Sequence, residues 1–435
     1  MKPNIFLILL DSLRADTVFG ENKSCITPNI DQLISRGTSF TNAFSTADHT
    51  GVSWLSILRG IFPLKNHINP YKLDPNIRTF VEVFKENNFQ TFSYFPDISF
   101  FKTLSTKFNN SILYDYVDRE QYSLHNEKNL NKLIESINSI KSPSLFCIHL
   151  MDLKFPYNIP TKFDNNNFGI NRQERRLSSL DEMFGQIFNA IYSKNGIIIF
   201  SSDHGDYIPP SGKQLDEIPK TQKILRKWKK SAPALEPAGL KVFKFLKNSN
   251  KKINYFKNKN KFSEIEKRGF LDRNEKYLFD DTINVPLIFH GKNFPTMQSF
   301  KLVRHVDIFP TICKILDLKF DEKNIDGLNI IEKIKKNESD ELIAYIETGP
   351  ANENLKGKII GIRTAKYKYF RSRDQPDQDV NLYNLEKDQN EEDNINEKSP
   401  QLVIKMEKKL TDLITNHKTE LKNSINKKIS KLKLR

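Results

Sequence analysis

The chain is 435 residues long, enough for two or three domains of roughly 150 residues each, or for one large α/β domain with an appendage. Hydrophobic residues make up 38% and aromatics 11%, with 32 phenylalanines, which excludes a chain disordered throughout. The formal net charge of +15 is concentrated between Lys213 and Lys276 and from Lys405 to Arg435, so it marks local basic segments, not a nucleic-acid-binding body. Cys25, Cys147 and Cys313 are odd in number and lack C-x-x-C spacing, against both a disulfide framework and a zinc knuckle. We read them as buried thiols in a reducing compartment. The N-terminal apolar run ends at Asp11, too short for a signal sequence, and no later run reaches about 18 apolar residues; the expectation is a cytoplasmic protein.

NIFLILLD is a continuous apolar run closing on an acid, the signature of a parallel strand buried on both faces, with Asp11 at its carboxyl end. TPNIDQLISRG has helical spacing and a terminal glycine. VSWLSILRG reads as a second helix ending at Gly60, which places Thr50 near a helix N-terminus, where anions bind well. RTFVEVFKENN is helical and QTFSYF strand-like. SLFCIHLMD and GIIIFSSDHGD are further buried strands, and the helix SLDEMFGQIFNAIYSKNG lies between them. In such sheets ligands sit beyond the carboxyl ends of the strands, which is where Asp11, Asp152, Asp203 and His204 fall.

Between Asp206 and Lys276 the texture changes to KILRKWKK, GLKVFKFLKN and NSNKKINYFKNKNK. Two readings stand here: a solvated insertion, or a basic lid that recruits an anionic polymer or a membrane surface, with Trp228, Phe243 and Phe245 among the lysines. TINVPLIFHG is again a buried strand, and VRHVDIFPTICKILDL a loop entering a helix. From Glu341, LIAYIET, IIGIRTAKYKYFRS and VNLYNLEKDQNEEDN alternate as a small antiparallel sheet would, and a Lys-rich helix starts near Pro400. The expected division is a catalytic α/β domain over 1–338, with 207–276 inserted, and a C-terminal subdomain over 339–435.

By residue type the chemistry-bearing set is Asp11, Thr50, Asp203 and His204, with His149, Lys154, Lys213 and His305 as neighbours. Two carboxylates and an imidazole at strand ends hold one divalent cation through mixed oxygen and nitrogen ligands, a set that favours Mn²⁺ or Zn²⁺ and admits Ca²⁺ or Mg²⁺. A hydroxyl beside such an ion becomes a usable nucleophile. His67, His125, His290 and His417 have no evident partner and read as structural.

These motifs in this order resemble the sulfatase family of the alkaline phosphatase superfamily. PNIFLILLDSLRAD resembles its metal-binding start, TPNIDQLISRGTSFTNAF the helix and strand that follow, and SDHGD its later metal motif. NVPLI, HVDIFPTICKILDL, IDGLNI and IRTAKYKYF followed by LYNLEKDQNEEDN match later landmarks, so the likeness covers most of residues 3 to 415 apart from the insertion. It implies a large mixed, mainly parallel sheet between helices, with a smaller C-terminal antiparallel sheet. It further implies Asp11, Asp203, His204 and Thr50 as metal ligands and Thr50 as nucleophile. His149 and Lys154 would be catalytic, and Lys213 and His305 substrate-binding. The implied substrate is a small-molecule or glycan sulfate or phosphate ester, with no specific nucleic acid.

The departures are informative. Relatives carry a Cys or Ser in a C-x-P-S-R-like motif and convert it to formylglycine; here the run is Thr50-Gly51-Val52-Ser53-Trp54. Threonine cannot give that aldehyde, whose hydrate expels sulfate by collapsing. A phosphothreonine ester, by contrast, is open to attack at phosphorus, so the expectation shifts toward phosphate esters. Threonine is also the nucleophile in similar superfamily members such as lipoteichoic-acid synthases and phosphoethanolamine transferases. IHLMDLKFPY has Leu153 and Lys154 where relatives often have an MDPH-like stretch, and Ser12 follows Asp11 where many have a second Asp, which favours one ion. A second expectation, of another class, is a catalytically weak member that binds an anionic glycan or lipid through the insertion.

Overall fold

The computed structural model describes residues 2–65, 73–116, 123–155, 157–208, 262–271, 273, 276–323, 325–335, 341–349 and 358–433, with side chains as far as Asn416. Lys213, His67, Trp228, Phe243, Phe245 and the side chain of His417 lie outside the described residues, and so does most of the expected insertion.

The described residues form a nine-stranded sheet: β1 (Asn4–Leu10), β2 (Thr38–Phe44), β3 (Gln90–Pro96), β4 (Asn110–Tyr114), β5 (Ser144–Leu150), β6 (Gly196–Ser201), β7 (Asn284–His290), β8 (Met297–Ser299) and β9 (Val303–Arg304). Their order is β4, β3, β5, β1, β6, β7, β2, β8, with β9 also on β2. Pairing is parallel from β4 to β6, and β7 runs antiparallel to both β6 and β2. The sheet is therefore mixed and mainly parallel, as expected.

β1 shows why its sequence is apolar without interruption. Ile5, Leu7 and Leu9 point into one core with Trp54 and Phe101, whereas Phe6, Ile8 and Leu10 point into the other with Leu177 and Phe184. Successive side chains of a strand alternate between faces, so a strand covered on both sides must be apolar at every position. The helices α1 (Ala15–Phe19), α2 (Pro28–Arg36) and α3 (Thr50–Arg59) lie in its N-terminal third. α2 packs with the helix Arg172–Ser193 on one face, and α3 with the helices Phe80–Glu86, Ser99–Ser105 and Ile308–Ile315 on the other.

A second, four-stranded antiparallel sheet follows: β10 (Ala344–Glu347), β11 (Ile359–Arg363), β12 (Tyr367–Ser372) and β13 (Asn381–Asn384). One face packs on Phe44, Tyr207 and Phe279; the other packs on Met406 and Leu410 of the helix Pro400–Lys433. The end of β10 pairs with the loop before α3, through an Ala47–Glu347 bridge and a bond from Glu347 N to Thr46 O of 3.0 Å. Asp48 adds a bond by accepting from Gly349 N at 2.6 Å. The small sheet thus holds the segment that delivers Thr50.

All three cysteines are buried and free, in line with the reading of their count. Asp152 lies beyond β5 as expected, but its carboxylate is taken up by Arg176 at 2.8 Å, Ser123 Oγ at 3.0 Å and Leu124 N at 2.9 Å. It is a buried structural ion pair. His125 is held by Ser179 Oγ at 3.0 Å. No described helix is long and apolar enough to cross a membrane.

Candidate active site

Three chain ends meet beyond the carboxyl edge of the sheet. β1 delivers Asp11, β6 delivers Asp203 and His204, and α3 begins at Thr50. Asp11, Asp203, His204 and, from the end of β5, His149 are fully buried, while Thr50 is partly accessible. Thr50 Oγ1 lies 3.4 Å from Asp11 Oδ2 and 3.3 Å from His204 Nε2. Of the expected set, the structure brings Asp11, Thr50, His149, Lys154, Asp203 and His204 together.

The local sequence explains the placement. The N-cap of α3 is His49, whose Nδ1 accepts from Gly51 N at 3.2 Å, so the ten-residue helix starts at Thr50 with the positive end of its dipole at the site. Ser53, the one motif residue kept from the family pattern, donates to Ala47 O at 2.9 Å and closes the loop onto the helix. Gly60 ends α3 at φ 65°, a left-handed conformation that favours glycine.

Ser12 is held in the same left-handed region, φ 70°, a conformation that costs a non-glycine residue about 1 kcal/mol. The turn folds its hydroxyl back onto Asp11 Oδ1 at 2.6 Å and within 3.3 Å of Asp206 Oδ2, while Gln173 Nε2 donates to its carbonyl at 3.0 Å. The second family carboxylate is thus replaced by a hydroxyl that orients the first.

Burial alone would raise the Asp11 carboxyl, but Lys154, at 3.4 Å, with His149 and His204, holds it well below the usual carboxylate range. Burial and then the neighbouring Asp11 charge push Asp203 up. Burial, followed by Arg273, pushes His204 well below the ordinary histidine value. Nδ1 stands 2.7 Å from Gly205 O, which can only accept, and 2.9 Å from Arg273 Nη1; a proton on Nδ1 satisfies the carbonyl and leaves the Nε2 lone pair to Arg273 Nη1, 2.6 Å away. That lone pair faces Asp203 Oδ2 at 3.3 Å. The cation that meets the Nε2 lone pair in this structure is the Arg273 guanidinium.

Three observations fit a metal ion to this group. A carboxylate oxygen of Asp11 and one of Asp203 lie within 4.8 Å of each other. Asp203 Oδ2 is buried without a hydrogen-bond partner. His204 is held in the tautomer that ligates, with its other nitrogen bonded to a backbone carbonyl, a common arrangement around metals.

Residues absent from the sequence reading complete the site. Arg273 reaches in from beyond the basic segment: Nη1 lies 2.6 Å from His204 Nε2 and donates to Asp48 O at 3.0 Å, and Nε pairs with Asp206 at 3.0 Å. One arginine among many cations gave no signal in the sequence. His49 caps α3, and burial, then Arg273, pushes its ring down to about 3. Trp54, in the quoted motif but unassigned, touches His149. His305 lies buried against the Ser202 backbone, its ring pushed down to about 3 by burial, and no described hydrogen bond or ion pair joins it to Thr50, Asp11, Asp203 or His204.

A family model described as Sulfatase matches residues 3–318. The chain belongs to the sulfatase family. Sulfatases are ester hydrolases that use a divalent metal ion, so the chain is an enzyme of that class. A second family model, described as N-sulphoglucosamine sulphohydrolase, C-terminal, matches residues 266–417. No curated protein matches the sequence.

Among solved structures, the fold is similar to that of yidJ from Bacteroides fragilis, at 16% identity and TM-score 0.70 over 96% of each chain. The phosphonate monoester hydrolase of Agrobacterium radiobacter is similar at 14% identity and TM-score 0.67, again over 96% of each chain. BT4656, solved in complex with its substrate D-glucosamine-2-N,6-O-disulfate, is similar at 14% identity and TM-score 0.62, over 97% of this chain and 99% of that one.

Proposed function

We propose that this sulfatase-family enzyme cleaves a phosphate or phosphonate ester in preference to a sulfate ester, with the Thr50 hydroxyl as nucleophile. The observation that carries the reading is Thr50 Oγ1 at the N-terminus of α3, within 3.4 Å of Asp11 and 3.3 Å of His204, where relatives carry the formylglycine precursor. Asp11, Asp203, His204 and Thr50 would hold one divalent ion, with Mn²⁺ or Zn²⁺ suiting the mixed oxygen and nitrogen set. When bound, such an ion lowers the pKa of the hydroxyl and offsets charge on the transferring group.

The chain's own residues supply the rest. Thr50 Oγ, its proton released to solvent, forms a bond to phosphorus as the bond to the leaving alcohol breaks, and that alcohol takes a proton from His149 or Lys154, which solvent then restores. Water then attacks phosphorus, the Thr50 Oγ–P bond breaks, and the free acid leaves. Lys154 and Arg273 are the cations that meet the anionic ester, aided by the positive end of the α3 dipole. A threonine sulfate has no collapse to an aldehyde, so its second step is the slow one. Relatives favour two substrate classes: the Agrobacterium enzyme is a phosphonate monoester hydrolase and BT4656 binds an aminosugar disulfate. The loss of the formylglycine precursor supports the first.

The test is turnover of p-nitrophenyl phosphate, phosphodiester, phosphonate and sulfate esters by metal-free protein resupplied with Mn²⁺, Zn²⁺, Mg²⁺ or Ca²⁺. Metal-dependent cleavage of a phosphorus ester, lowered roughly 10³-fold or more in Thr50→Ala, is expected. Sulfate cleavage that survives Thr50→Ala would overturn the assignment.

A further inference from the structure

The two histidines of the site are wired in opposite senses. His204 gives its Nδ1 proton to Gly205 O at 2.7 Å and turns a lone pair to the site. His149 instead receives at Nδ1, from the indole N–H of Trp54 at 3.1 Å. Indole nitrogen is a donor only, so Nδ1 of His149 must offer its lone pair and the ring proton sits on Nε2. That Nε2 faces Asp11 Oδ2 at 3.6 Å.

We propose that Trp54 is a positioning residue that locks His149 as the Nε2–H tautomer, so that His149 presents a proton to the site and stays outside the metal-ligand set. A nitrogen that carries a proton has no lone pair for an ion, although its distance to Asp11 and Asp203 would admit one.

The surroundings make the lock rigid. Trp54 and His149 are both fully buried, the Trp54 ring meets Phe95 and Phe101 edge-on, and Phe101 lies 4.8 Å from the His149 ring. Neither ring has room to turn without opening an apolar cage. Trp54 is also the fourth residue after Thr50, where the family pattern carries arginine, so one turn of α3 joins the nucleophile to the lock. The inference rests on the proposed site, but its primary readouts involve neither substrate nor the Thr50 hydroxyl.

Long-range ¹H–¹⁵N correlation spectra of ion-free, histidine-labelled full-length protein report which ring nitrogen carries the proton, with His149 assigned by difference from His149→Gln. The expected pattern is Nδ1 bare and Nε2 protonated, unchanged in Thr50→Ala and mixed in Trp54→Phe. A wild-type proton on Nδ1, or an unaltered pattern in Trp54→Phe, would overturn the lock. Zn²⁺ titration provides a second arm that does not need the Trp54 variant to fold. His149→Gln should keep the Zn²⁺ affinity within about threefold, whereas Asp203→Asn should lose on the order of 100-fold. Equal losses in the two would make His149 a ligand and the proposal wrong. If the ester reaction runs through Thr50, Trp54→Phe lowers kcat by about tenfold with KM little changed, as a misoriented donor would.

Discussion

Removing the Arg273 guanidinium takes from the site a cation that touches His204, the Asp48 carbonyl and Asp206. If it meets the anionic ester, Arg273→Gln raises KM by roughly 10- to 100-fold, the worth of one charge-assisted hydrogen bond, and Lys154→Ala lowers kcat by about 10²-fold as a lost proton donor. Steady-state kinetics on a phosphonate ester separate the two, and a pure kcat effect of Arg273→Gln would contradict its placement as a substrate contact. These residues differ in how visible they were. Asp11, Asp203 and His204 sit at the ends of apolar strands, where a polar residue has little packing reason to be, so the pattern exposed them. Arg273 and Trp54 act through contacts 69 and 95 residues away in the chain, and no local pattern encodes those.

At the level of elements, α3 joins three tasks on one short helix: Thr50 at its start, Ser53 tying the preceding loop, and Trp54 against His149. Ala47 O also accepts from Ser45 Oγ at 3.0 Å, so Ser53→Ala leaves no orphaned carbonyl. Its expected cost is about 1 kcal/mol, read from urea unfolding. Gly60→Ala places a Cβ 3.0 Å from Ile325 and Phe309 at a left-handed residue, and should cost about 1–2 kcal/mol by the same measurement. A neutral result there would mean that the helix end relaxes freely. β1, β3, β5, β6 and the C-terminal sheet were legible from alternation and continuous apolar runs. β4 and the helix Glu127–Ser139 were not read, because short or polar-rich segments are settled by packing against neighbours already in place.

Across the whole molecule, a buried ion network joins the large sheet to the small one. Lys368, fully buried, pairs with Asp280 at 2.8 Å and Glu391 at 2.7 Å, while Arg268 and Arg14 both pair with Asp281 at 2.7 Å. Lys368→Met strands the buried Glu391 carboxylate, while the partly exposed Asp280 keeps Arg363 at 3.3 Å, and should destabilise by roughly 3–5 kcal/mol in urea unfolding. Histidines set the acid side. Burial pushes His125 down to about 4 and His305 to about 3, whereas the unfolded chain takes up protons near 6.5. Folded values below unfolded ones give stability that is present above about pH 6.5 and lost as pH falls toward 4. The urea midpoint at pH 5 should therefore lie below that at pH 7.5, and His125→Gln should shrink the difference. The layered α/β plan followed from the order of strands and helices, but the docking of the small sheet on the loop before Thr50 rests on Ala47 and Glu347, 300 residues apart.

The central claim is a covalent one, and it is tested most directly by rapid acid quench of metal-loaded enzyme turning over a phosphorus ester, followed by mass spectrometry of the peptide that contains residues 45–59. The account predicts a phosphoryl or phosphonyl adduct on Thr50 that rises within one turnover and is absent from Thr50→Ala. Full turnover with no adduct on that peptide, or the same rate in Thr50→Ala, would contradict it.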